Sequence, residues 1–360
     1  MSIELHGRER QIEFGRSIAQ RRKIYLDTRF WIILRDVALG ICAEPAALRL
    51  LHYLRLGVAN GRLICPINAS TFLELMKQAY SPARRIGTAE IADELSLGAS
   101  IVPLRIVMGT EIYSFLLRAP EGADLHPMQE LIWTKATYVL GNMYPSLPKL
   151  TPAEELLVQK SLFDHLWSYS LTDMVKAIGD AFIPRDSFAE LSRETNENNA
   201  ERKRELRSFA QTYDIEIRGI IELAGEIAAD VIYEIAEKET GIKYSSTSPE
   251  HASVVNMCRN LLYGSFRKQD TKHILRSLHI GASIHAAMRW DKERKFKPND
   301  YYDFEHATAA LGYFDAFLTE APLHHLVTRP HLGLEALNGC QIFWEVEKAA
   351  DYIGQLVEII

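Results

Sequence analysis

"NDYYDFEHATAALGYFDAFLTEAP" (residues 299–322) sets an acid, an Ala-rich helical stretch, a short apolar strand and a second acid in direct succession. Asn299 and Asp300 are suited to cap the helix. "AFLT" (316–319) reads as a buried strand that stops at Glu320. Acids at both ends of a helix–strand unit have a plain reading, because Asp caps helices and makes turns. They have a sharper one if they meet other acids in space and hold a metal.

Working outward, residues 24–26 form a short apolar strand that ends on Asp27, with a helical segment after it. Residues 44–59 carry Leu48, Leu51, Leu54 and Val58 at helical spacing, and Asn60-Gly61 stops that helix. "RLICPI" (62–67) is a second strand, and "NASTFLELMKQAY" (68–80) starts the next helix. Strand–helix–strand–helix order predicts a parallel α/β sheet. From about 88 to 295 the period is helical, with a long charged amphipathic stretch at 201–238 in which Gly219 and Gly225 are weak points. Residues 193–207 are polar enough for a solvated helix start or turn, and 239–251 read as a loop. The α/β pattern returns at 299–345 and closes on "CQIFW" (340–344). The expected organisation is a discontinuous α/β core with a parallel sheet, built from 20–90 and 270–360, interrupted by an all-helical insertion over 91–269.

With 360 residues, 47% hydrophobic and 24% charged, the composition is that of a globular protein. A net charge of −6 excludes a polycation but not a local basic groove. The four Cys are scattered without a C-x-x-C pair, which argues against a structural zinc and for reduced thiols in the cytoplasm. No segment has signal-peptide character or membrane-spanning length, so a cytoplasmic protein without membrane contact is expected.

The acids carry the functional reading. In a parallel α/β sheet, ligands bind at the carboxyl ends of the strands. Asp27, Glu74 and Glu320 stand at or just beyond three such ends, and Asp303 heads the helix that feeds the last strand. Each has a bland alternative. Asp27 suits a turn or helix cap. Thr71-x-x-Glu74 has capping-box spacing. Asp303 in a first helical turn is favoured by the helix dipole. Asp315 precedes its strand and belongs to the opposite edge. His306, three residues after Asp303, is either a packed histidine or a ligand. Taken together the acids are harder to dismiss. Carboxylates within ~5 Å repel by about 3 kcal/mol per pair at an effective dielectric of 20. Protonation or a hard divalent ion relieves this.

These segments resemble the PIN-domain family of metal-dependent nucleases. "KIYLDTRFW" (23–31) is similar to its first motif, "PINASTFLEL" (66–75) to its second, and "DFEHATAALGYFDAFLTE" (303–320) to its third. The likeness covers roughly 20–90 and 270–345, and it implies a PIN-like three-layer α/β/α core around the parallel sheet. Two positions depart from it: Arg29 replaces the usual Asn, and the common last acid falls on Ala321, with Glu320 one residue earlier.

The resemblance implies an endonuclease that hydrolyses phosphodiester bonds, more readily in single-stranded RNA than in duplex DNA. Asp27, Glu74 and Asp303 would hold Mg2+ or Mn2+, with Glu320 as a fourth catalytic acid. Arg29, Ser70, His306, Thr319 and Asp315 would orient the carboxylates from behind. Arg22, Lys23, Arg84, Arg85, Arg294, Lys295 and Lys297 are candidates for a backbone-binding track. An antitoxin or other protein partner and a homo-oligomer are further partners to be considered. Two rival readings stand beside this one. The first is a non-catalytic PIN-like module that binds RNA or protein through a degenerate site. The second is a helical interaction protein.

Overall fold

A computed structural model describes residues 2–78, 81–117, 126–179, 188–202, 206–243 and 247–358. The fold is mixed α/β and mostly helical. Among the described residues there are six strands: β1 (Arg22–Leu26), β2 (Leu63–Ile64), β3 (Ala99–Ile101), β4 (Trp133–Lys135), β5 (Ala316–Leu318) and β6 (Gln341–Phe343). Four form a parallel sheet in the order β2-β1-β5-β6, with Ile24 beside Ala316 and Leu26 beside Leu318. The remaining two pair antiparallel, and a parallel bridge between Ile67 and Ser100 ties them to the chain beyond β2.

Side chains alternate between the two faces of a strand. Ile24, Leu26, Leu63, Ala316 and Leu318 therefore enter one core with the helices Thr28–Ala38, Pro45–Ala59 and Val346–Glu358. Tyr25, Ile64 and Phe317 enter the other, against the helices Arg276–Trp290 and Pro298–Tyr313. Both faces are covered, so residues 24–26 of β1 and all of β5 read as continuous apolar runs.

The expected all-helical insertion over 91–269 contains β3 and β4. Strands of three residues leave no alternation for a periodicity reading to detect, and their Ala, Ser and Thr are neutral in pattern. The stretch 201–238 is not one helix. A helix over Phe188–Arg202 precedes another over Phe209–Thr240, whose Ser208 cap accepts from the Gln211 backbone N–H; residues 203–205 lie outside the described ones. A further core joins the helices Leu104–Leu117, Phe209–Thr240 and His251–Ser265 to the Arg276–Trp290 helix. Among the described residues no helix is long and apolar enough to cross a membrane.

The order of the strands positions the site. From β1 the chain moves outward to β2 on one side, and much later β5 enters on the other side. This reversal opens a crevice at the carboxyl ends of β1 and β5, where ligands bind in open α/β sheets. Asp27 and Thr319 flank it. The ladder continues to its lip, where the Asp27 N–H donates to Leu318 O at 3.0 Å and the Thr319 N–H to Phe343 O at 2.8 Å.

Candidate active site

Asp27 caps the Thr28–Ala38 helix, with its carboxylate accepting from the Phe30 N–H at 3.2 Å. The bland and the functional readings of this residue thus coincide. Burial pushes its pKa up to about 6, partly offset by the Thr319 hydroxyl, the His306 charge and the Phe30 N–H. The Thr319 hydroxyl faces this carboxylate but falls outside hydrogen-bond geometry. It remains a buried donor that the described residues do not satisfy.

Glu74 is not a capping-box residue. The helix Ala69–Lys77 is capped by Asn68, whose side chain accepts from the Thr71 N–H at 2.8 Å, so Thr71 lies inside the helix. Glu74 is thereby free to turn into the crevice. Its Oε2 accepts from the Thr28 hydroxyl and lies 2.9 Å from His306 Nε2. Burial pushes this carboxyl up, but the His306 bond and charge and the Thr28 hydroxyl outweigh it, leaving the pKa below the ordinary value.

Asp303 is in the second turn of the Pro298–Tyr313 helix, not the first, because that helix starts at Pro298 and Asp300 occupies its first turn. The helix dipole therefore does not account for it. Burial raises its pKa to about 7; the His306 charge opposes this, and Glu74, Asp300 and Asp27 add to it. Asp303 thus shares one electrostatic neighbourhood with Asp27 and Glu74, two of the three acids placed at strand ends from sequence.

His306 stands among them, buried, with Nδ1 2.5 Å from the Tyr25 hydroxyl and Nε2 on Glu74. Burial pulls its pKa down, but the Glu74 bond and charge, then Asp27 and Asp303, carry it above its usual value. In its cationic form it donates from both ring nitrogens and supplies one positive charge to three acids. Glu74 takes that charge. Asp27 and the half-buried Asp303 retain raised pKa values, because the loss of water around each outweighs the His306 charge.

The other predicted residues divide. Ser70 reaches inward, donating to Glu305. Glu320 is exposed but near enough to raise the Asp27 pKa. Arg29 touches no carboxylate; its guanidinium donates to Trp344 O at 3.0 Å and Thr319 O at 3.5 Å, pinning the strand ends. Asp315 does not belong to the site. It lies at the opposite edge of the sheet, bonded to the Arg22 guanidinium at 2.7 Å and the Lys23 N–H at 2.8 Å. Arg22 and Lys23 leave the proposed basic track for the same reason. Lys23 is also buried, with its ammonium on Ala19 O at 2.8 Å. Arg85 is buried and not on a surface track. Arg294 faces Asp300 at 3.7 Å. Arg84, Lys295 and Lys297 are exposed, the latter two just before the Asp303 helix.

Sequence reasoning missed four neighbours. Thr28 and Tyr25 flank Asp27 in the first strand motif and were legible as its continuation. Glu305 is adjacent to His306. Lys77 follows Glu74 by three residues, acts on its charge and lies 3.9 Å over the Tyr302 ring.

Among the described residues, no three His, Cys, Asp or Glu side chains form a ready-made metal-ligand set. Mg2+ does not require one, since it keeps several waters and is held by one or two carboxylates together with substrate phosphate. Asp27, with the unsatisfied Thr319 hydroxyl beside it, and Asp303 in the same electrostatic neighbourhood are donors of the kind that demand calls for. Compared with family models, curated proteins and solved structures, the chain matches none of them.

Proposed function

We propose that the protein is a PIN-like, metal-dependent endonuclease acting on single-stranded RNA. The observation that carries this reading is the gathering of Asp27, Glu74 and the half-buried Asp303 around the buried His306 at the switch point of a parallel sheet.

Asp27 and Asp303 would hold Mg2+ or Mn2+, with Glu74 behind them. Bound there, the ion lowers the pKa of an attacking water and steadies charge on the phosphate oxygens. The chain's own residues do the rest. His306 holds Glu74 and balances part of the acid charge, so that the site folds before it is loaded. Tyr25 and Thr28 fix the two ends of that pair. The Thr319 hydroxyl offers a hydrogen bond to a water on Asp27. Lys77, Lys295 and Lys297 are cations within reach of a backbone entering along the Asp303 helix. The four free cysteines suit a reducing cytoplasm.

The non-catalytic reading has one observation in its favour: Arg29 is committed to backbone carbonyls and Ala321 supplies no acid. The two part under a single experiment. Purified protein with Mn2+ should cleave labelled single-stranded RNA, and Asp303→Asn should slow cleavage by ~1000-fold or more, since a lost ligand charge costs several kcal/mol at the transition state. Equal cleavage by both forms would assign the activity to a contaminant. No cleavage by the wild type, with no Mn2+ binding by calorimetry, would establish the non-catalytic module.

A further inference from the structure

A second polar cavity of about 410 Å3 lies on another flank of the Asp303 helix, between the helices Phe188–Arg202, Phe209–Thr240 and Arg276–Trp290. Small-ligand pockets run from roughly 300 to 1,000 Å3. Its charges cancel within its own wall, because Arg289 Nη1 donates to the Glu216 carboxylate and both side chains are largely buried. The Arg289 Nε is buried without a partner among the described residues. His285 presents an imidazole that burial, then the Arg289 charge, keep neutral, with a pKa pushed down to about 4. Its ring is held edge-on by Phe304 at 4.7 Å between centroids, with Phe296 and Tyr301 beyond. Among the described residues neither His285, Asn198 nor Asn199 makes a side-chain hydrogen bond, whereas the neighbouring Asn196 is fully used on the Phe296 backbone.

An anion would find no uncompensated cation here, and an apolar ligand would strand two amides and an imidazole. A neutral, flat molecule carrying both donors and acceptors satisfies all three groups against an aromatic wall. We infer that this cavity binds an unstacked nucleobase, read by Asn198, Asn199 and His285 with Tyr301 as its wall. The choice of a nucleobase among neutral heterocycles rests on the nucleic-acid reading above. Tyr301 stands two residues before Asp303 and about 200° around the same helix, so a base held here lies across that helix from the acids, and a strand reaching both sites passes around it.

The test is calorimetric titration of the full chain with adenosine, guanosine, cytidine and uridine in chelator, where no cleavage occurs. At least one should bind with a Kd below about 1 mM. Asn198→Ala/Asn199→Ala should weaken that binding ~5-fold or more, the worth of a hydrogen bond. His285→Phe, which keeps the ring packing, should weaken it likewise. Asp303→Asn should leave it unchanged. Failure of all four nucleosides up to about 10 mM, binding indifferent to the Asn and His variants, or loss of binding in Asp303→Asn would each overturn the assignment. Nucleoside binding without any RNA cleavage would sink the nuclease reading and leave the cavity assignment standing.

Discussion

Asp303 illustrates how one carboxylate sets a pH profile. Its folded pKa of about 7 and that of Asp27 near about 6 lie above the unfolded value of 3.8. Between these values the folded chain binds more protons than the unfolded one, so stability falls as pH rises. His306 acts in the same direction. Its raised pKa gives stabilisation that is complete below its unfolded value and lost as pH rises through its folded value. Glu74, with a lowered pKa, contributes above its unfolded value and loses that contribution as pH falls through its folded one. In the metal-free protein Asp27 and Asp303 are therefore expected to withdraw stability between about pH 4 and about pH 7, while His279 and His285, with pKa values pushed down to about 4, oppose them below about pH 6.5. Asp303→Asn removes the stranded charge while keeping the shape. In chelator it should melt above the wild type at pH 8, with the gap closing steadily as pH falls toward about 4, as thermal denaturation followed by circular dichroism would show. A variant melting below the wild type at pH 8 would mean that the Asp303 carboxylate has a stabilising partner. The acids were legible in sequence because an apolar strand ending on an acid is a local pattern. The Lys23 side chain was not, because its burial depends on the turn at Ala19, and no pattern in "RRK" separates a buried lysine from an exposed one.

The helix Phe209–Thr240 shows where element-level reading succeeds and where it stops. Gly219 and Gly225 both lower its intrinsic propensity. Only packing separates them. A Cβ at Gly219 would meet nothing within 4 Å, while one at Gly225 would lie 2.6 Å from Arg259 Cγ. Arg259 is itself anchored, its guanidinium donating to Glu222 O at 3.1 Å. Gly219→Ala should thus stabilise the protein by ~0.5–1 kcal/mol. At Gly225 the overpacking cost of roughly 1–3 kcal/mol offsets or exceeds the propensity gain of about 1 kcal/mol. Urea midpoints of the two variants should move apart, with Gly219→Ala the higher. Equal gains would show that Arg259 swings away freely. The same limit hid the Asn68 cap. Thr71 and Glu74 have the spacing of a capping pair, but the helix begins one turn earlier, and which polar residue breaks into helix first is decided by the Ile67–Ser100 bridge in front of it.

Across the whole molecule, the long middle segment is joined to the rest by shared apolar cores and the Ile67–Ser100 bridge, and also by one buried acid. Glu111, on the helix Leu104–Leu117, accepts from the Ser277 N–H at 3.0 Å, the Ser277 hydroxyl at 2.9 Å and the Tyr313 hydroxyl. It thereby caps the start of the Arg276–Trp290 helix and holds the end of the Asp303 helix, and burial raises its own pKa to about 7. Glu111→Ala would leave those donors without a partner, at about 1–3 kcal/mol for each buried group. The expected result is a clear fall in the denaturation midpoint; a loss of only a few tenths of a kcal/mol would show that water enters and satisfies them.

The pairing of β1 with β5 has a further consequence, in time. Asp27 and Asp303 are 276 positions apart in the chain. At roughly 5–20 residues per second, synthesis separates their emergence by an interval on the order of ten seconds to a minute. Throughout it β1 lacks its β5 neighbour, and Asp27 and Glu74 are on the growing chain without Asp303 or His306. The crevice closes only once residues 303–319 are made. A ribosome translating this message therefore carries an incomplete cluster of acids for most of the time spent on the first three hundred residues.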